Sequence, residues 1–146
     1  KLAMRLLPIL AALAALTIAT PDMARAAGDL AVKPVKLPVL EIGLGDAGYG
    51  VSQKDFELET GKAYQLKIKS TGAKECAWRA PQLANNMWLR KVEVNKVEIK
   101  ASHLQEIEME EEGEAELFFV PIRPGTFQWS CAGLEEKGMA GKFIVK

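Results

Sequence analysis

The stretch Phe118-Phe119-Val120-Pro121-Ile122-Arg123-Pro124-Gly125-Thr126-Phe127-Gln128-Trp129-Ser130-Cys131 decides the fold. Its first residues are aromatic and β-branched, the composition of a buried strand. Pro121 to Gly125 then interrupts with two prolines and a glycine, the chemistry of a tight turn. From Thr126 the chain alternates. Phe127, Trp129 and Cys131 fall on one face and Gln128 and Ser130 on the other, a period of two that belongs to an extended strand. The segment reads as strand, turn and strand, ending in a cysteine. After it come a loop, Ala132 to Gly138, then Met139, Gly141 and a closing strand, Lys142-Phe143-Ile144-Val145-Lys146.

Toward the N-terminus the same period recurs. Tyr64, Leu66 and Ile68 alternate with Gln65, Lys67 and Lys69, and Phe56 and Leu58 alternate with Glu57 and Glu59. Further strands are expected at Trp88 to Val94, Val97 to Lys100, Leu104 to Met109 and Glu114 to Val120. Asn95, Glu112-Gly113 and Pro124-Gly125 supply turn signals between them. Only Pro81 to Met87 suits a short helix or turn. Short strands at regular spacing imply an all-β, antiparallel sandwich or barrel. Glu106 to Glu116 holds seven glutamates. Ile107, Met109, Ala115 and Leu117 interleave with them, so the acids read as the wet face of two strands joined at Glu112-Gly113.

The N-terminal part reads differently. Lys1 and Arg5, the apolar run Leu6 to Ile18, and Ala24-Arg25-Ala26 have the order of a secretory signal peptide cleaved near Ala26/Ala27. This divides the chain into a leader (1–26), a Pro- and Gly-punctuated lead with a candidate edge strand at Val35 to Val39 (27–50), and a β domain (51–146). Export to the periplasm would place Cys76 and Cys131 in a disulfide-permissive compartment. The 146 residues carry 19 Lys+Arg and 19 Asp+Glu, and losing the leader leaves 16 against 18. That balance gives no reason to expect a nucleic-acid partner, which calls for a basic excess.

The single histidine, His103, excludes any two-histidine metal motif within one chain. There is no G-x-S-x-G nucleophile motif. No βαβ unit follows Gly43-Leu44-Gly45-Asp46-Ala47-Gly48, so a dinucleotide site is not expected. No catalytic residue is assigned.

Pro124-Gly125-Thr126-Phe127, Cys131, Met139 and Gly141 together resemble the cupredoxins, the blue-copper fold. That family's hallmark is a Pro-Gly-Thr/Ser-Tyr/Phe strand ending in Cys, a short loop carrying His, then Met and Gly. In this sequence Glu136 stands at the loop His position. Cys76-Ala77-Trp78 with Pro81 matches the spacing around the upstream His, which puts Cys76 at that ligand position. The resemblance implies a Greek-key β-sandwich of cupredoxin type over 51–146. Both imidazoles are missing, so an ordinary blue centre is not implied.

The chain is most similar to the cupredoxin-like domains that accompany bacterial high-affinity iron permeases. These are the small periplasmic component of Ftr-type ferrous-iron systems and, less closely, the N-terminal domain of EfeO. The likeness rests on Glu75-Cys76-Ala77-Trp78 and on the ending Cys131-Ala132-Gly133-Leu134 through Gly141-Lys142-Phe143-Ile144-Val145-Lys146. It implies a metal-binding accessory for copper or iron, with Cys76, Cys131 and Met139 as ligands and Glu136 or Glu75 in support. It also implies a partner, a periplasmic iron-binding subunit or the membrane permease, with Trp78, Arg79, Trp88 and Arg90 as docking residues. Two thiolates with a thioether suit Cu(I), and carboxylates shift preference toward iron. Two other readings stay open. One is an electron-transfer cupredoxin with an altered copper site. The other is a metal-free docking sandwich locked by a Cys76–Cys131 disulfide.

Overall fold

The computed structural model describes residues 29–30 and 33–146; the expected leader and its cleavage site lie outside them. Two sheets form the molecule. The larger contains β1 (Val35–Lys36), β2 (Leu40–Leu44), β3 (Gly50–Val51), β5 (Tyr64–Thr71), β7 (Met87–Val94), β8 (Val97–Ile99) and β10 (Glu112–Pro121). Its order is β3-β2-β5-β10-β7-β8, with β1 also against β5. The smaller contains β4 (Asp55–Leu58), β6 (Cys76–Arg79), β9 (Ile107–Met109), β11 (Gly125–Cys131) and β12 (Ala140–Val145), ordered β4-β12-β11-β6-β9. A four-residue helix, α1 (Pro81–Ala84), follows β6.

The core lies between the sheets, as the alternation requires. Leu66, Ile68, Leu117 and Phe119 of the larger sheet and Phe56, Trp78, Trp129 and Phe143 of the smaller are all 2% exposed or less. The Phe119 and Phe143 rings meet edge-on across the layers at 6.3 Å, and Phe143 stacks on Phe56 at 5.3 Å. On the outer face of the larger sheet, the polar residues of the same alternation pair across strands, as in Lys67 with Glu114 and Glu116 at 3.1 Å.

Three expectations need correction. The sheets are mixed: β1 and β2 run parallel to β5, and β4 runs parallel to β12. Periodicity reports which face a residue takes and carries no information on strand direction. The glutamate-rich strands do not form a hairpin at Glu112-Gly113. β9 ends at Met109 on the smaller sheet and β10 begins at Glu112 on the larger, with Gly113 paired to Ser70 inside the strand. The chain crosses layers at Glu110-Glu111 because Met109 and Ala115 are both buried, one on each sheet. Finally, the lead is divided at Pro38. Leu40 and Ile42, fully buried, carry its core contact, while Val35 and Val39 are 42% exposed. The sandwich therefore takes in part of the 27–50 segment.

Candidate metal centre

Cys131 is the last residue of β11, where the chain turns back toward β12. Its N–H donates to the Met139 carbonyl at 2.9 Å, continuing the β11–β12 ladder by one step. Between them a 3₁₀ turn over Glu135–Lys137 closes at Gly138 (φ +92°), a left-handed position that suits glycine. On the other side the Ala132 N–H donates to the Ala77 carbonyl at 3.0 Å, which brings the end of β11 against the start of β6. Cys76 and Cys131 meet there as a disulfide, with Cα atoms 4.9 Å apart and a sequence separation of 55.

Cys76, Cys131 and Met139 thus lie together at the end of β11. They are 1%, 0% and 0% exposed. A fourth sulfur joins them. Met109 is the direct cross-strand partner of Cys76 and is 7% exposed. Facing residues in an antiparallel pair hold their side chains on one side, about 5 Å apart at Cβ. Met109, Cys76 and Cys131 therefore line the core side of β9, β6 and β11, and Met139 follows just before β12. Sequence reasoning missed Met109 because only the strand register reveals its neighbour; its sole local signal was the alternation with Ile107.

The carboxylates lie elsewhere. Glu75 and Glu136 are exposed. The carboxyl of Glu108 is pushed up, first by desolvation and then by the charges of Glu75, Glu106 and Glu110. The ordered acid of the loop is Glu135. Its carboxylate is held below the usual range by its own backbone N–H, by the Ser130 hydroxyl at 2.9 Å and by backbone and charge contacts that include Arg79. Arg79 completes this surface pair at 3.5 Å.

The four docking residues do not form one patch. Trp78 is 1% exposed and belongs to the core. Its indole N–H has no hydrogen-bond partner among the described residues. Arg79 lies on the smaller sheet, whereas Trp88, 46% exposed, and the half-buried Arg90 lie on β7 of the larger. Trp129 is buried and donates its indole N–H to the Lys54 carbonyl at 2.9 Å. Gly141 faces Trp129 across the ladder, and a Cβ there would overlap the Lys54 carbonyl and come within 2.6 Å of the indole nitrogen.

A blue-copper ligand set does not fit these residues. It needs two imidazoles and a thiolate. The lone His103 is exposed in the β8–β9 connection, and both cysteine sulfurs are bonded to each other. Among the described residues no group of three or more His, Cys, Asp or Glu is placed to hold a metal ion. The chemistry available to the oxidised centre is reduction of its disulfide.

No protein-family model matches this chain, and neither does any curated protein. Solved structures do. A multicopper oxidase from Campylobacter jejuni superposes with a TM-score of 0.54 at 13% identity, over 78% of this chain and 30% of the other. Copper nitrite reductase from Nitrosomonas europaea gives 0.52 at 10% identity, over 65% and 33%. McoA multicopper oxidase from the hyperthermophile Aquifex aeolicus gives 0.57 at 9% identity, over 77% and 29%. The chain spans about a third of the length of the first two. At such low identity the likeness is one of fold, and the chain has the cupredoxin-like fold of these copper proteins.

Proposed function

We propose that this chain is an exported accessory domain of a metal-handling system that holds a soft cation only while its Cys76–Cys131 pair is reduced. One observation carries the reading. The two positions that the cupredoxin resemblance gives to metal ligands are joined as a disulfide, and buried thioethers flank it on both sides. Two electrons and two protons from a dithiol reductant would convert the disulfide to two thiols. Deprotonated, these thiols with Met139 and Met109 form an all-sulfur donor set, which suits Cu(I). The thiols must shed their protons to bind, so affinity falls as pH drops. Iron is the less suited ion, since Glu75 and Glu136 face solvent. The link to an iron permease or periplasmic iron-binding subunit rests on the resemblance of the cysteine segments alone.

The metal-free docking sandwich is the second reading, and burial favours it. Thiol–disulfide exchange needs access to a sulfur, and these cysteines are at most 1% exposed. Anaerobic titration with Cu(I) against a competing chelator, before and after phosphine reduction, separates the two. The expected result is uptake of a single Cu(I) by the reduced chain with a higher Tm, none by the oxidised chain, and loss of uptake in Cys76→Ser. No uptake by the reduced chain would leave the docking reading in place. The absence of an intense blue band on copper addition would rule out an electron-transfer site of the ordinary blue kind.

A further inference from the structure

Where β8 and β9 end the two sheets, the sandwich is open. Val97 and Ile99 pair with Val94 and Val92, so they sit on the core-facing side of β8, yet they are 61% and 48% exposed. Among the described residues β8 pairs only with β7 and β9 only with β6, so each leaves one backbone edge unpaired. Next to them a cleft of about 320 Å³ draws apolar lining from both sheets, Val94 and Ala115 from one and Ile107 and Met109 from the other. The rest of its lining is Asn95, Gly113 and the glutamates Glu108, Glu110, Glu111, Glu112 and Glu114.

Charge sets this mouth apart from the other acidic surfaces. Within the cleft only Glu114 has a lysine, Lys67, whereas outside it Glu116 has Lys67, Glu93 has Lys91, and Glu98 has Lys91 and Lys100. Glu106, Glu108, Glu110, Glu111 and Glu112 have no lysine or arginine within ion-pair distance among the described residues. An exposed apolar strip beside an unpaired strand edge is a template for another strand. Uncompensated negative charge discourages a second copy of this chain from using it, and favours a partner of opposite sign.

We propose that the open edge formed by β8, β9 and the Glu110–Glu112 crossing docks an extended basic segment of a partner protein. Apolar side chains of that segment would cover Val97 and Ile99, and its lysines or arginines, with aliphatic stems and charged heads, would enter the cleft. The surface shares Met109 with the sulfur cluster, so the test is run on the oxidised, metal-free chain, where a failure of docking is distinct from a failure of the metal reading.

The test uses the exported chain and two synthetic peptides of alternating sequence, one of lysine and valine, the other of glutamate and valine. Amide shifts are followed by NMR. The expected result is saturable binding of the lysine peptide alone, with shifts confined to β8, β9 and residues 110–114. The triple variant Glu108→Gln, Glu110→Gln, Glu111→Gln should bind about tenfold more weakly, and Val97→Ser several-fold more weakly, with the rest of the spectrum unchanged. Equal binding by the triple variant would overturn the proposal, as would shifts spread over all acidic faces or a dimer formed through β8. Displacement of the peptide by calcium at equimolar concentration would do so too, since the cleft would then be a cation site.

Discussion

Gly141 shows how one residue ties the C-terminal motif to the core. The Trp129 indole crosses the backbone at this point to reach the Lys54 carbonyl, and only a hydrogen in place of a side chain leaves it room. Gly141→Ala should cost about 1–3 kcal/mol, the usual range for a methyl forced into a packed site. Urea unfolding of the variant measures it, and an unchanged midpoint would show that the indole does not hold that bond. Glu98 gives a pH signature. Hydrogen bonds from Lys91 and Lys100 hold its carboxyl at about 2, against an ordinary 4.5. A carboxylate held low in the folded state contributes stability above its unfolded pKa and loses it as pH falls through the folded value. Glu98→Gln should therefore lower the unfolding midpoint at neutral pH and converge with the parent chain near pH 2. A constant difference at every pH would assign the effect to packing. Legibility at this scale was uneven. Motif spacing identified Cys76, Cys131 and Met139, which do converge. Met109 and the Arg79–Glu135 pair were hidden, because each depends on which strands or turns become neighbours.

At the scale of elements, the hairpin between β7 and β8 carries an avoidable strain. Asn95 (φ +50°) and Lys96 (φ +66°) are both left-handed, the conformation of a type I′ turn. Asparagine tolerates it and lysine does not. Lys96→Gly should stabilise the chain by about 0.5–1 kcal/mol, glycine's larger unfolded-state entropy offsetting part of the relief. Chemical denaturation decides this, and a loss of stability would mean that tertiary contacts hold the lysine. Most strands were legible from alternation, because burial on one face writes a period of two into the chain. Strand direction and sheet membership were not. Glu106 to Glu116 reads locally as a hairpin, and only the need to bury Met109 and Ala115 in opposite sheets turns it into a crossing.

Across the whole molecule, the Cys76–Cys131 bond joins β6 to the end of β11 and closes a loop spanning 55 positions. In the chain-entropy model such a loop is worth roughly 4 kcal/mol, a large share of a small domain's stability. Reduction would then loosen the fold at the point where the sulfur donors are exposed to each other, and a bound soft cation would restore part of what was lost. The state of this bond thus decides between a lock and a latent metal site. The most direct test is a thiol count. Chain directed to the periplasm of an expression host would be purified without reductant, denatured in an alkylating reagent and weighed intact. The disulfide reading expects no alkylation and a mass two hydrogens below that of the dithiol form. Two alkyl groups would contradict it and show both cysteines free.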